Sequence, residues 1–220
     1  PYEDVGVLLT DDVRPYETLK LRILNAGHST TTYMAALVGL TYIHEIMADE
    51  RLATFMQRFH DDEATPSLPP VPGIDVEDYK RVVAERFANP AVRDQVARVC
   101  LDGTSKFPKF LIPTIESQLD QGGAVRLSAL ALASWCQYLL GKTDDGTDIT
   151  LSADPRLDTA VAHARASLER PASFMDMDFV FGGRLPADPA FVAAFTEALI
   201  SLREVGTYAT IDRVLSGNER

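Results

Sequence analysis

The residues best suited to chemistry stand close together near the start of the chain, at Lys20, Asn25 and His28. On an ideal α-helix they would lie at roughly 0°, 140° and 80° around the axis and within about 12 Å along it. The three head groups would then share one side of the helix and converge on one small molecule. An amine, an amide and an imidazole together provide proton transfer and hydrogen bonding to a polar ligand.

An ordinary amphipathic helix would show the same pattern. In that interpretation Lys20 extends its apolar stem toward solvent, Asn25 caps a break at Gly27, and His28 satisfies a hydrogen bond in the core. Gly27 itself indicates a place where a ligand or another backbone approaches closely. The spacing alone leaves both interpretations open.

A second basic group flanks the turn formed by residues 102–105. Arg98 precedes this turn and Lys106 follows it, with Phe107 and Pro108 next in the chain. In an acidic protein, such a local basic cluster suggests a turn that faces a ligand. An ordinary charged junction between two helices is the alternative.

The composition limits the classes of protein to which the chain can belong. Its 220 residues are 46% hydrophobic and 24% charged, as in soluble globular domains. The net charge of −11 disfavours a nucleic-acid or anionic-membrane partner, because both would repel it. Apolar stretches fall short of the roughly 20 residues of a membrane span, and no secretory signal is present. We therefore expect a cytoplasmic protein, with Cys100 and Cys136 as reduced core thiols.

The hydrophobic periodicity predicts an all-α chain after a short strand-like segment at residues 5–10. Spacings of three and four residues start at Arg14 and recur along the rest of the chain. The predicted helices cover residues 14–40, 42–49, 51–61, 76–87, 90–101, 105–121, 125–140, 156–169, 189–205 and 208–215.

Caps and breaks refine these boundaries. Ser105 and Asp188 are predicted N-caps, and Gly141 is a predicted C-terminal cap. Pro113 is expected to kink or break its helix. A proline-rich loop at residues 65–73 and a turn-rich loop at residues 142–154 are the two long connections.

The run from Lys20 to His28 resembles the K-x4-N-x2-H signature of the long-chain, metal-independent polyol dehydrogenases, the family typified by mannitol 2-dehydrogenase. Four further segments resemble that family in order and spacing. The resemblance covers essentially the whole chain, but only the C-terminal part of the family's architecture. The four segments are residues 71–75, 85–89, 102–110 and 201–206.

This resemblance implies a multi-helix domain like the C-terminal domain of 6-phosphogluconate dehydrogenase. Residues 1–12 would link it to a nucleotide-binding domain, and residues 13–220 would form the helical substrate-binding and catalytic domain. The Gly-rich strand-turn-helix fingerprint of a nucleotide-binding domain is absent from this sequence. Since the chain begins at Pro1, we expect it to be a processed product or a piece of a longer protein.

The resemblance also implies a role for five residues. Lys20 would be the base that takes a proton from the reacting hydroxyl, while Asn25 and His28 hold and polarise the same oxygen. Arg98 and Lys106 would bind the remaining hydroxyls. A free lysine, with a pKa of about 10.4, holds its proton too tightly near neutrality, so burial or nearby positive charge should lower that pKa. No metal is needed for this chemistry.

The implied function is that of an NAD(P)-dependent polyol 2-dehydrogenase that interconverts mannitol and fructose, or a related alditol and ketose. NAD or NADP would bind mainly to the N-terminal nucleotide-binding domain, so this chain alone should be inactive. One alternative within the family is a sugar-acid reductase acting on fructuronate or tagaturonate, which an extra basic residue in the pocket would favour. Another alternative is a non-catalytic helical interaction domain.

Overall fold

The computed structural model describes residues 1–217, and within that range it confirms an all-α chain. Single π turns occur at Lys20–Asn25 and Phe59–Ala64, and short 3-10 turns connect several helices. The α-helices are α1 (Arg14–Leu19), α2 (Ala26–Leu37), α3 (Ile43–Ala48), α4 (Glu50–Arg58), α5 (Val76–Phe87), α6 (Val96–Val99), α7 (Gly103–Phe110), α8 (Ile112–Gln121), α9 (Arg126–Tyr138), α10 (Leu157–Ala166), α11 (Asp178–Phe181) and α12 (Pro189–Ser216).

Helix α9 is the centre of the core. It is buried on almost every side, as expected of a helix that is apolar all round, and it packs against α2 and α12. Trp135 on α9 lies with its ring 4.9 Å from that of Phe107 and 6.4 Å from that of Tyr33. This aromatic cluster joins α2 to α7, the two helices that carry His28 and Lys106.

Several sequence-based boundaries are confirmed. Helix α5 has the predicted bounds, and the Asp188 side chain caps α12 by accepting from two backbone N–H groups. The break expected near Pro113 separates α7 from α8 at Leu111. Gly206, with φ 79° and ψ 177°, interrupts α12 between the two helices predicted there. Cys100 and Cys136 are free and buried, as expected.

The strand predicted at residues 5–10 is wrong. Tyr2–Val5 form a 3-10 turn, and residues 6–13 adopt neither helix nor strand. A strand needs a neighbour for its backbone N–H and C=O groups, and the described part of the chain places none beside this exposed segment. Apolar composition alone therefore gave a misleading signal.

The helix predicted at residues 90–101 is also wrong, since only Val96–Val99 are helical. The N–H of Ile43 donates to the carbonyl of Asp94, and the N–H of Val96 donates to the carbonyl of Thr41. These long-range bonds hold the backbone near Asp94 extended. The sequence-local pattern could not reveal them.

Ser105 is not the N-cap of α7, because that helix already begins at Gly103. The cap comes instead from the loop at residues 142–154. The Asp154 carboxylate accepts from the Thr104 N–H at 2.8 Å and from the Thr104 hydroxyl. A capping residue 50 positions away replaces the local one.

Glu63 is a fully buried acid that caps the start of α9. Its carboxylate accepts from the N–H groups of Leu127 and Ser128 at 2.8 and 2.9 Å, and from the Ser128 hydroxyl. Burial raises the pKa of Glu63 to about 7, although these hydrogen bonds act in the opposite direction. The residue ties the Phe59–Ala64 π turn to the central helix.

Replacing Glu63 with alanine should lower the free energy of unfolding by about 1–3 kcal/mol, because two buried N–H donors lose their acceptor. Urea denaturation measures this difference. The exposed Glu169→Ala is the matched control and should change the stability by less than about 0.5 kcal/mol. Equal stabilities for the two variants would show that Glu63 contributes nothing as a cap.

Candidate active site

A cavity of about 590 Å³ opens between the start of α2, the start of α3, the end of α5 and the turn between α6 and α7. Four of the five predicted site residues line it. Asn25 and His28 come from the α2 side, and Arg98 and Lys106 come from the two sides of the turn. Arg98 and Lys106, which are far from Asn25 in the sequence, therefore line the same cavity as Asn25.

Lys20, the fifth predicted residue, is exposed and lies outside the lining of this cavity. Among residues 1–217 its side-chain amine has no hydrogen-bond or ion-pair partner. The burial that the sequence analysis expected for its amine is therefore not provided by the described residues.

The segment that joins Lys20 to Asn25 is a π turn, not the continuous α-helix predicted. The N–H of Ala26 is shared between the carbonyl of Leu21, five residues earlier, and the carbonyl of Ile23. A π turn adds one residue to a helical turn, so residues five apart take the relation that residues four apart have in an α-helix, on the same face and one above the other. Lys20 and Asn25 are five apart, so they stand on the same side of the segment instead of about 140° apart.

His60 packs against this π turn. Its Nε2 lies 2.9 Å from the carbonyl oxygen of Ile23, and a Cβ added at Gly27 would stand 2.6 Å from the same nitrogen. The room beside Gly27 is thus filled by a side chain, whereas we had expected a ligand or another backbone. Burial lowers the pKa of His60 to about 4, so the ring is neutral near pH 7 and donates from Nε2.

His28 presents a hydrogen-bonding atom without a partner. Its ring lies 3.7 Å from that of Phe87, and its Nε2 is buried and unpaired among the described residues. Burial lowers the pKa of His28 to about 4; Asp94 raises that pKa, and Arg98 lowers it further. The imidazole is neutral near pH 7, so it exchanges hydrogen bonds with a ligand without adding charge.

His44 is a lining residue that the sequence analysis missed. Its Nδ1 is also buried and unpaired among the described residues, and its ring stacks on Tyr42 at 5.5 Å. In the sequence, His44 and Glu45 begin like a metalloprotease helix, but Ala48 stands where that motif has its second histidine. An unpaired nitrogen in a cavity is visible only in three dimensions.

The basic residues of the cavity differ in how they are held. Arg98 forms a two-point ion pair with Asp94, which lowers the pKa of that carboxyl. Lys106 donates to the Val99 carbonyl at 3.0 Å, and burial lowers its pKa. Arg86 lies at the rim, exposed and without an ion pair within residues 1–217, and it too was missed. The lining therefore carries three basic side chains and one acid.

Residues 12–203 match the model of the mannitol dehydrogenase C-terminal domain. The chain belongs to this family. That finding confirms the resemblance on which the sequence analysis depended.

Relatives agree with this assignment over almost the whole chain. Mannitol dehydrogenase 2 of Saccharomyces cerevisiae is 38% identical over 216 residues, which are 98% of this chain and 43% of that protein. Mannitol 2-dehydrogenase of Phaeosphaeria nodorum is 39% identical over 214 residues, 96% of this chain and 37% of that protein. The chain thus spans less than half the length of these relatives.

Solved structures show the same fold. The Pseudomonas fluorescens mannitol 2-dehydrogenase, in a ternary complex with NAD and D-mannitol, matches with a TM-score of 0.93 and 40% identity, over 98% of this chain and 44% of that one. A substrate-free D-sorbitol dehydrogenase matches with a TM-score of 0.89 and 27% identity, over 96% of this chain and 43% of that one. The helical architecture is therefore that of the family.

Residues 1–217 contain no group of three or more His, Cys, Asp or Glu side chains arranged to hold a metal ion. Within the same residues, every helix is too short or too polar to cross a bilayer.

Proposed function

We propose that this chain is the substrate-binding and catalytic-base domain of an NAD(P)-dependent polyol 2-dehydrogenase that interconverts mannitol and fructose, or a related alditol and ketose. The observation that carries the proposal is the convergence of Asn25, His28, Arg98 and Lys106 on one cavity. Relatives named for mannitol support the choice of substrate class.

The cavity suits a molecule with several hydroxyls. Each hydroxyl both donates and accepts, and so can pair with the unpaired nitrogens of His28 and His44 and with the amide of Asn25. Leaving a buried polar atom unpaired costs about 1–3 kcal/mol, which a bound polyol would recover. A volume of about 590 Å³ lies within the usual range for small-molecule sites.

Oxidation of a secondary alcohol requires removal of a proton from oxygen and a hydride from carbon. The nicotinamide cofactor, when bound, accepts the hydride. In our proposal Lys20 takes the proton, and the Asn25 amide donates a hydrogen bond to the oxygen as negative charge develops there. Neutral His28 orients the same oxygen, while Arg98 and Lys106 bind the other hydroxyls.

A second domain is needed to complete this site. Exposed Lys20 lies outside the cavity, and the exposed segment at residues 1–13 carries apolar side chains, among them Leu8 and Leu9. We propose that residues 1–12 lead to a nucleotide-binding domain that covers this side, binds NAD or NADP, and removes water from the Lys20 amine.

One observation favours a second candidate, the sugar-acid reductase. Arg86 adds an unpaired cation to the cavity, where the carboxylate of fructuronate or tagaturonate would find a partner. The two candidates differ in the charge of the substrate, so turnover of a neutral polyol and of its acid will separate them.

A substrate panel on the full-length protein tests the proposal. Mannitol, arabinitol and mannonate are each supplied with NAD and with NADP at several pH values. The polyol proposal expects kcat/KM for mannitol or arabinitol to exceed that for mannonate by about tenfold or more. The reverse order would favour the sugar-acid reductase. No turnover of any of them would favour a non-catalytic helical domain.

Asp94 should matter for substrate affinity because it holds Arg98 in one orientation. Asp94→Asn in the full-length protein should raise KM for the polyol about three- to tenfold, with kcat changed less than about twofold. Steady-state kinetics measure both constants. Asp78→Asn is the matched control, since it weakens an ion pair to Arg81 outside the cavity. The same KM for both variants would contradict the assigned role.

A further inference from the structure

The π turn at Lys20–Asn25 needs stabilisation from outside its own backbone. Turns of this kind are rare, mostly occur as single turns inside α-helices, and are frequent at functional sites. Here the turn places Lys20 above Asn25, while a regular α-helix would rotate the two side chains about 140° apart. Whatever maintains the π turn therefore sets the position of the amine relative to the amide.

His60 is the side chain that contacts the turn at its centre. It is only 3% exposed, and its Nε2 donates to the Ile23 carbonyl across 37 residues of sequence. The His60 ring has close neighbours on two sides. The Gly27 backbone limits the ring on one side, where even a Cβ would stand 2.6 Å from Nε2. The Phe59 ring lies 5.7 Å away, on the π turn that carries His60 itself.

A contact such as that between His60 and the π turn can keep a helix locally distorted. Insertion of a side chain into the hydrogen-bond ladder is a recognised cause of such distortion. The Ile23 carbonyl receives the His60 N–H in addition to that of Ala26. Removing the imidazole would take away one donor and free the space beside Gly27, which allows the segment to relax toward α-helix.

We propose that His60 is a positioning residue that holds Lys20 above Asn25 by binding the Ile23 carbonyl. His60 itself does not line the cavity and acts only through the π turn. The inference rests on the proposed function, in which Lys20 is the base and Asn25 the amide donor.

The test uses the full-length protein and two variants at position 60. His60→Leu removes the donor, and His60→Gln keeps an N–H close to the place of Nε2. For His60→Leu we expect kcat for polyol oxidation to fall about tenfold or more, with KM within about twofold, because only the alignment of the base is lost. For His60→Gln we expect kcat within about threefold of wild type.

A double-mutant cycle with Lys20→Ala separates positioning from a general loss of folded protein. If His60 acts through Lys20, His60→Leu should cost less than about twofold in kcat once Lys20 is alanine. The same loss in both backgrounds, or an unchanged kcat for His60→Leu in the wild-type background, would overturn the inference. Full activity of Lys20→Ala alone would instead overturn the assignment of the base, and this inference with it.

Gly27→Ala provides the same comparison if His60→Leu does not fold, because the added Cβ displaces the ring without removing it. Gly183→Ala is the matched control, since a Cβ there would meet nothing within 4 Å. Gly27→Ala should lower kcat about tenfold with Lys20 present and less than twofold without it. Equal losses in the two backgrounds would again reject the proposal.

Discussion

Replacing Lys20 with alanine in the full-length protein is expected to lower kcat for polyol oxidation by about 10²–10⁴-fold at neutral pH. The cavity would keep Asn25, His28, Arg98 and Lys106, so KM for the polyol should change little. Lys109→Ala is the matched control, because Lys109 is exposed and lies outside the cavity lining. Near-normal activity of Lys20→Ala would remove Lys20 from its role.

The pH dependence of this loss adds a second criterion. With the amine gone, the proton must leave to hydroxide or water, so kcat of the variant should rise steadily with pH and the deficit relative to wild type should shrink. Stopped-flow measurement of reduced cofactor across a pH series shows this directly. A deficit that stays constant at every pH would point to a damaged fold instead of a missing base.

Replacing Asn25 with leucine should lower kcat by about 10²–10³-fold, the usual cost of losing one donor to a developing oxyanion. Leucine keeps the approximate size of the side chain, so binding of the neutral substrate should change far less than kcat. The cavity also contains a control amide, Asn89, which is exposed and accepts from the N–H of Ala91. Asn89→Leu should leave kcat within about threefold. Similar effects of the two substitutions would contradict the assignment of Asn25.

Local periodicity was enough to predict most of the helices, since each buries an apolar stripe that the sequence displays. Helix α5, the Asp188 cap and the break between α7 and α8 follow from such local signals. The failures share one physical cause. The stretch near Asp94 and the start of α7 take their hydrogen bonds from residues far away in the chain, and these outweigh local propensity.

The candidate site, too, was predictable from the sequence only in part. The spacing of Lys20, Asn25 and His28 and the basic turn at residues 98–106 were visible in the sequence, and the structure brings all of them except Lys20 to one cavity. The π turn was not visible, because the side chain that contacts it, His60, lies 37 residues from Ile23 in the sequence. Arg86 and His44 escaped notice because an exposed arginine and a helix histidine are ordinary in a sequence.

The most direct test of the proposed roles of Lys20 and Asn25 is a crystal structure of the full-length protein with a nicotinamide cofactor and mannitol bound. We expect the reacting hydroxyl oxygen to lie within hydrogen-bond reach, about 2.6–3.2 Å, of both the Lys20 Nζ and the Asn25 amide nitrogen. The remaining hydroxyls should contact Arg98 and Lys106. Mannitol bound outside this cavity, or bound within it with the Lys20 amine still in bulk solvent, would contradict the account.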